Sequence, residues 1–239
     1  MRHIKNLSLF GILFLALLFT LTLISQPVFA SDVITDKKMK LTIGYCPYGM
    51  LETPVMKVKK FYNKYAPNLE VEWFFGLYSV ELINNWVAGK LEFAYLGNMP
   101  AVMLQGRRDT DTVWVGNACS NGGEVGVMHA PKDSSINKIK DLDGKKVATG
   151  IGSSHHRILE VIQEQEGIKF RMANQSPEVA VGNLEAGKLD GFCYWPPYVD
   201  LVTYREIGKP IQDCTKYEPE VNSIWPIVVS ASFVKKHPD

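Results

Sequence analysis

The phrase Ala-Gly-Lys-Leu followed by an acid occurs twice in this chain, 98 positions apart. It sits within "NWVAGKLEFAYLGNMPAV", Asn85 to Val102, and "NLEAGKLDGFCYWPPYV", Asn183 to Val199. Asn85 maps onto Asn183, Ala88 onto Ala186 and Glu92 onto Asp190. Each copy reads as one element. An amphipathic helix ends in a glycine that accepts the left-handed cap conformation, Lys turns the chain, Leu anchors it, and a buried strand begins. One such turn is commonplace. The same turn at the same place in two stretches favours two α/β units of shared architecture over chance reuse of that turn.

The pattern around the copies agrees. "KLTIGY" from Lys40 alternates as a strand, and "PVMKVKKFYNKY" reads as a helix opened by Pro54 with Thr53 as N-cap. Val55, Val58, Phe61 and Tyr62 fall on one helical face. A strand from Leu69, a helix capped by Ser79, the strand "LEFAYLG", the helix "PAVMLQ" and the strand "DTVWVGN" follow. Strand and helix in turn predict a parallel-type sheet covered by helices. "ACSNGG" breaks the rhythm. A second series then runs through "EVGVMHA", a short helix in "SSINKIKDLDG", "KKVATGI", a helix closed by Gly167, "KFRMAN", a helix with Ser176 as N-cap and Pro177 at N1, "LDGFCYW" and a last helix. Asn117 to Gly123 is the expected crossing between the units.

The first thirty residues stand apart. Arg2 and Lys5 precede an apolar run from Leu7 to Ile24, and Val28 and Ala30 are small residues at −3 and −1 of a cleavage site before Ser31. This is the pattern of a secretory signal peptide over residues 1–30 cleaved after Ala30, and it implies a periplasmic protein. The length of the apolar run leaves an uncleaved anchor as the alternative. Beyond it stand 24 basic against 25 acidic residues, a balance that argues against a nucleic-acid or membrane-surface binder driven by charge. Cys46, Cys119, Cys193 and Cys214 match no metal spacing, and their pairing, if any, is open.

"LTIGY", "LINNWVAGKLEFAYLGNMPAVM", "IKDLDGKKVATGIGSSHHRILE", "LEAGKLDGFCYWPPYVD" and "FVKKHPD" carry a resemblance. In this order, behind a leader, they resemble the periplasmic solute-binding proteins of ABC importers, in the branch that binds nitrate, sulfonates, taurine or thiamine-pyrimidine precursors. The resemblance implies a type II-like two-lobed α/β fold with the ligand cleft between lobes. Lobe 1 is expected over residues 40–117 and 223–239, and lobe 2 over 123–220. In that family the "KKHPD"-like phrase opens further helices that finish lobe 1, so those C-terminal helices are expected to be missing here.

In open α/β sheets, ligands lie beyond the carboxyl ends of strands, where helix N-termini offer free N–H groups and partial positive charge. That rule singles out Ser153, Ser154 and His155 after "VATGI", Gly97 and Asn98 after "EFAYLG", and Ser79 at the next helix start. Tyr45 and Tyr48 follow the first strand, Trp195 ends the second copy of the repeat, and Asn117 sits at the crossing. Tyr48, Trp73 and Trp195 are candidates to house an organic tail. Ser153 or Ser154 can cap the helix as well as meet a ligand, and Ser79 is more often just a cap.

No "GxxxxGK[ST]", "GxSxG" or "HExxH" is present, and neither catalytic residue, metal nor cofactor is expected. Glu164 and Glu166 read as solvated. The expectation is an exported, monomeric receptor for a small polar or anionic solute, sulfonate, taurine or nitrate-like, that delivers it to an ABC permease and its ATPase. The alternative is an enzyme on the same fold, of thiamine-pyrimidine or menaquinone biosynthesis, with His155 as its reactive residue.

Overall fold

The computed structural model of the chain describes residues 34–46, 52–120, 126–221 and 224–238; the expected leader and its cleavage site lie outside them. Ten strands follow in chain order: β1 (Met39–Tyr45), β2 (Leu69–Phe75), β3 (Phe93–Tyr95), β4 (Thr112–Ser120), β5 (Val127–Pro131), β6 (Lys146–Thr149), β7 (Arg171–Asn174), β8 (Gly191–Tyr194), β9 (Gly208–Asp213) and β10 (Ile224–Ser230). The helices are α1 (Glu52–Lys59), α2 (Ser79–Val87), α3 (Asn98–Gln105), α4 (Ser154–Glu166), α5 (Pro177–Glu185), α6 (Tyr198–Tyr204) and α7 (Ala231–Lys236).

The strands form two five-stranded sheets, ordered β2-β1-β3-β10-β4 and β7-β6-β8-β5-β9. The two orders are the same pattern. Three strands run parallel, and the fourth place is taken by a reversed strand, the one on which the chain arrives from the other sheet. β10 pairs antiparallel with β3 and β4, as β5 does with β8 and β9. The sheets are therefore mixed and not of the parallel type expected. A strand entering from the opposite sheet runs against its new neighbours, and strand-helix alternation cannot signal that. Helices pack on the sheets in two layers, giving the two-lobed α/β fold.

The repeat is one structure used twice. α2 and α5 begin and end 98 positions apart. Gly89 (φ 69°) and Gly187 (φ 66°) take the left-handed cap. A Cβ at either would meet nothing within 4 Å, so the dihedral and not space demands glycine. Ala88 N donates to Asn84 O as Ala186 N does to Gly182 O, and Lys90 N to Asn85 O as Lys188 N does to Asn183 O. Leu91 and Leu189 are then buried beneath the two helices. The apolar residues of α2 and α3 (Leu82, Ile83, Trp86, Leu104) pack on one face of the first sheet. α4 covers one face of the second sheet and α5 with α6 the other.

Elsewhere the chain departs from the expected elements. α1 ends at Lys59 because Lys60 turns left-handed (φ 50°), and a single 3-10 turn over Phe61–Lys64 replaces its continuation. Val55, Val58 and Phe61 are exposed, not packed. The helix lays Met56 on the sheet instead, and Thr53, expected as a cap, lies inside the helix and is buried. The short helix after Ser135 is a 3-10 turn, Ile139–Leu142. Glu166 is not solvated: it accepts from Tyr217 Oη at 3.0 Å and pairs with Lys216, which holds its carboxyl below the usual range.

Candidate functional site

The carboxyl ends of six parallel strands, three from each sheet, and the helix starts that follow them, surround one cavity of about 250 Å³. The first sheet supplies Cys46 after β1, Leu77 to Val80 after β2, and Gly97 and Pro100 after β3. The second supplies Gly150, Ile151 and Ser153 to His155 after β6, Asn174 to Pro177 after β7, and Trp195 after β8. Trp225, on the returning strand β10, completes the wall. The cavity thus lies in the cleft between the two lobes.

Four helix N-termini meet there, those of α2, α3, α4 and α5. The first N–H groups of a helix have no intrahelical acceptor, and the aligned peptide dipoles leave partial positive charge at that end. None of the cavity's described lining residues is Asp, Glu, Lys or Arg. The field inside therefore comes largely from oriented peptide groups, an arrangement suited to an oxyanion. Leu77, Val80, Pro100, Ile151, Trp195 and Trp225 add apolar wall, which suits an uncharged tail.

The local hydrogen bonds assign each polar group. Ser153 is the N-cap of α4, its hydroxyl oxygen accepting from His156 N at 3.3 Å, so its own O–H remains to donate. Ser154 donates to Asn98 Oδ1 at 2.5 Å, across the cleft. Ser79 is not a cap. α2 starts at Ser79 with Tyr78 before it, and the Ser79 hydroxyl accepts from Gly97 N at 3.1 Å, tying the starts of α2 and α3 together. Asn174 Oδ1 accepts from Ile151 N at 3.0 Å, and Ser176 caps α5 by accepting from Val179 N. His155 is buried, with its ring 5.4 Å from that of Trp195. Burial pushes the Cys46 thiol up to about 12, so it stays protonated beside the cavity. The Trp225 indole N–H is occluded and has no acceptor.

Of the residues singled out from sequence, Ser79, Gly97, Ser153, Ser154, His155 and Trp195 line the cavity. Asn98 does not; it reaches the cleft through Ser154. Tyr45 is turned away, buried edge-on against Trp73 and Phe75 on the opposite face of the first sheet. Trp73 shares that place. Side chains alternate along a strand, and both residues point to the face that α1 covers. Asn117 is exposed on β4 and accepts from Trp114 Nε1 at 3.0 Å. Tyr48 lies outside the described residues. The main omission was the run Asn174 to Pro177. The strand-end rule applied to "RMAN" reaches it, but Ser176 was read only as a cap. Trp225 was also missed: the resemblance returned residues 223–239 to lobe 1, but nothing local shows that β10 inserts next to β3 and reaches the cavity. Among the described residues no cluster of His, Cys, Asp or Glu could hold a metal, and no helix is long and apolar enough to cross a membrane.

Comparison with known proteins adds three findings. The sequence profile described as the NMT1-like family matches residues 35–239. Among curated relatives, an Escherichia coli (strain K12) protein named for binding aliphatic sulfonates is 26% identical over 218 residues, covering 90% of this chain and 64% of its own. The taurine-binding periplasmic protein of the same organism is 23% identical over 164 residues, covering 66% of this chain and 49% of its own. The chain thus spans less than two thirds of the length of these relatives. Among solved structures, the alkanesulfonate-binding protein SsuA from Xanthomonas axonopodis pv. citri, bound to MOPS, superposes with a TM-score of 0.74 at 18% identity, over 84% of this chain and 68% of that one.

Proposed function

The chain belongs to the NMT1-like family, and we propose that it is the solute-receiving component of an ABC importer, taking a small oxyanion with an organic tail, sulfonates first. The observation that carries this reading is the meeting of four helix N-termini at a 250 Å³ cavity between the lobes with no Asp, Glu, Lys or Arg on its described wall. Such a site offers N–H donors and hydroxyls to the sulfonate oxygens, and Trp195, Leu77 and Ile151 to the tail. Ser79, Gly97, Ser153, Ser154, His155 and Trp195 are the proposed contacts, joined by Asn174 to Ser176. The relatives' names, sulfonate- and taurine-binding, support the ligand class.

No catalytic role is proposed. The one thiol in the cavity is protonated at neutral pH, with its pKa near 12, and the relatives are named for binding. We further propose that the leader 1–30 is cleaved after Ala30, that the protein works in the periplasm as a monomer, and that an ABC permease with its ATPase receives the solute.

Isothermal titration with alkanesulfonates, taurine, sulfate and nitrate tests the reading. The expected result is one-site, saturable heat with at least one sulfonate, and a matching rise in unfolding temperature, because a ligand selective for the folded state stabilises it. Absence of both across the panel overturns it.

A further inference from the structure

Asn98 Oδ1 accepts two hydrogen bonds from opposite sides of the cleft. One comes from Met99 N at 2.8 Å, the first turn of its own helix α3. The other comes from the Ser154 hydroxyl, on the first turn of α4 in the other lobe. A single amide oxygen therefore stands between two helix N-termini whose partial charges are both positive. The surrounding contacts bring the lobes to the same place. A Cβ added at Gly97 would stand 3.1 Å from Ser154 Oγ, and one at Gly152 would stand 3.4 Å from Met103 Cε and Sδ and 3.7 Å from Val80 Cγ2. These are contacts between lobes, with α3 and α2 on one side and the α4 start on the other.

We infer that Asn98 is a built-in latch that favours the closed arrangement of the lobes, a positioning residue that acts through Ser154 and not a ligand contact. The physical reasons are on both sides of the bond. Two like partial charges repel across the cleft, and an oxygen between them turns that repulsion into two attractions. The bond also fixes the Ser154 proton on Asn98, so in this arrangement Ser154 presents only lone pairs to the cavity. An incoming anion then finds its hydroxyl donor in Ser153, whose proton is uncommitted, and finds the lobes already biased toward each other. This goes beyond the proposed ligand class and does not depend on it, since the latch is made of protein groups alone.

The experiment measures lobe separation with no ligand added. Genetically encoded spin labels at positions 90 and 188 sit on the exposed turns after α2 and α5, equivalent places in the two lobes. Their distance distribution by pulsed electron resonance reports the ratio of open to closed. Asn98→Ala is expected to raise that ratio about threefold to tenfold, the effect of one net hydrogen bond. Ser154→Ala should raise it to the same degree, and the double variant no further. Asn98→Asp places a full carboxylate between the two helix starts and should lower the ratio below that of the unaltered chain. An unchanged distribution in Asn98→Ala overturns the inference. So do additive effects of the two alanines, or an Asn98→Asp variant that opens as Asn98→Ala does. None of these outcomes bears on whether sulfonates bind.

Discussion

Glu92 and Asp190, 98 positions apart, make the same bond in different sheets: Glu92 Oε2 accepts from Thr42 N of β1 at 2.8 Å, and Asp190 Oδ2 accepts from Lys146 N of β6 at 2.9 Å. In both cases the backbone N–H of the acid also donates to a carbonyl of that neighbouring residue, Thr42 O or Lys146 O. The acid of the repeated phrase thus clamps the entry of its strand onto the middle one of the three parallel strands in its sheet. Truncating either carboxylate leaves a strand N–H without its partner, so Glu92→Ala and Asp190→Ala should each cost about 1–3 kcal/mol. The two sites lie in separate sheets, and the double variant should be additive within about 0.5 kcal/mol. Urea unfolding of the four proteins measures this, with exposed Lys90→Ala as a control expected to change little.

The two glycines that face across the cleft should respond differently to alanine. Gly152 has φ 85°, a conformation that a Cβ strains whatever the space. Gly97 has φ −67°, which alanine accepts. Gly152→Ala is expected to lower stability by about 1–2 kcal/mol, and Gly97→Ala by under half of that. Unfolding midpoints in guanidinium chloride decide it. An equal loss at both would mean that crowding, not the backbone, sets the requirement.

Trp195 stands between the His155, Tyr194 and Tyr198 rings, 5.4, 5.6 and 6.3 Å away, and it lines the cavity. If the tail of the ligand rests there, Trp195→Ala weakens a hexyl sulfonate at least tenfold while leaving sulfate or nitrate within about threefold, since burying apolar surface is worth about 25 cal/mol per Å². Parallel titrations of the two ligand types supply the comparison. Equal losses for both would place Trp195 in the scaffold.

His129 gives the fold a pH dependence. It is buried on β5, with Nδ1 3.1 Å from Val127 O and Nε2 2.9 Å from Thr203 Oγ1. A neutral ring protonated on Nδ1 donates to Val127 O, and its Nε2 accepts from the Thr203 hydroxyl when that proton turns from Val199 O, 3.0 Å away. Burial holds its pKa below the ordinary value, against the opposing effects of Val127 O and Asp200. Since the unfolded chain then binds the proton more tightly, the contribution of His129 is complete above about pH 6.5 and is lost as pH falls below that value through the folded pKa. Stability measured from pH 7.5 to 5 should fall, and His129→Gln should flatten that slope. A slope unchanged in the variant would assign it to other groups.

The sequence revealed what local chemistry fixes. Gly89 and Gly187 declared two helix ends because no other residue takes that dihedral cheaply, and Ser176-Pro177 declared a helix start. Ser153 to His155 could be placed at a cleft because "VATGI" ends in a glycine-containing turn and a helix follows. What stayed hidden depends on distance along the chain. Nothing near Trp225 shows that its strand enters the first sheet between β3 and β4. Nothing near Val55, Val58 and Phe61 shows that the helix presents Met56 to the sheet and leaves them in solvent. Tyr45 was misplaced by a choice of strand face, since one residue decides between cavity and core and Cys46 is the one that turns inward.

The reversed strand in fourth place has a consequence for how the chain can be made. β4 pairs only with β10, and β10 begins at Ile224. A chain of 120 residues therefore holds β4 with no strand to pair with and β3 with a bare edge. The first lobe cannot finish while the second is still being synthesised, although α1 to α3 are already present. β10 acts as the closing piece for a much earlier part of the protein, and a growing chain stays incompletely folded until residues 224–230 arrive. Any cut between the lobes that aims at an independent first half must carry residues 224–230 with it.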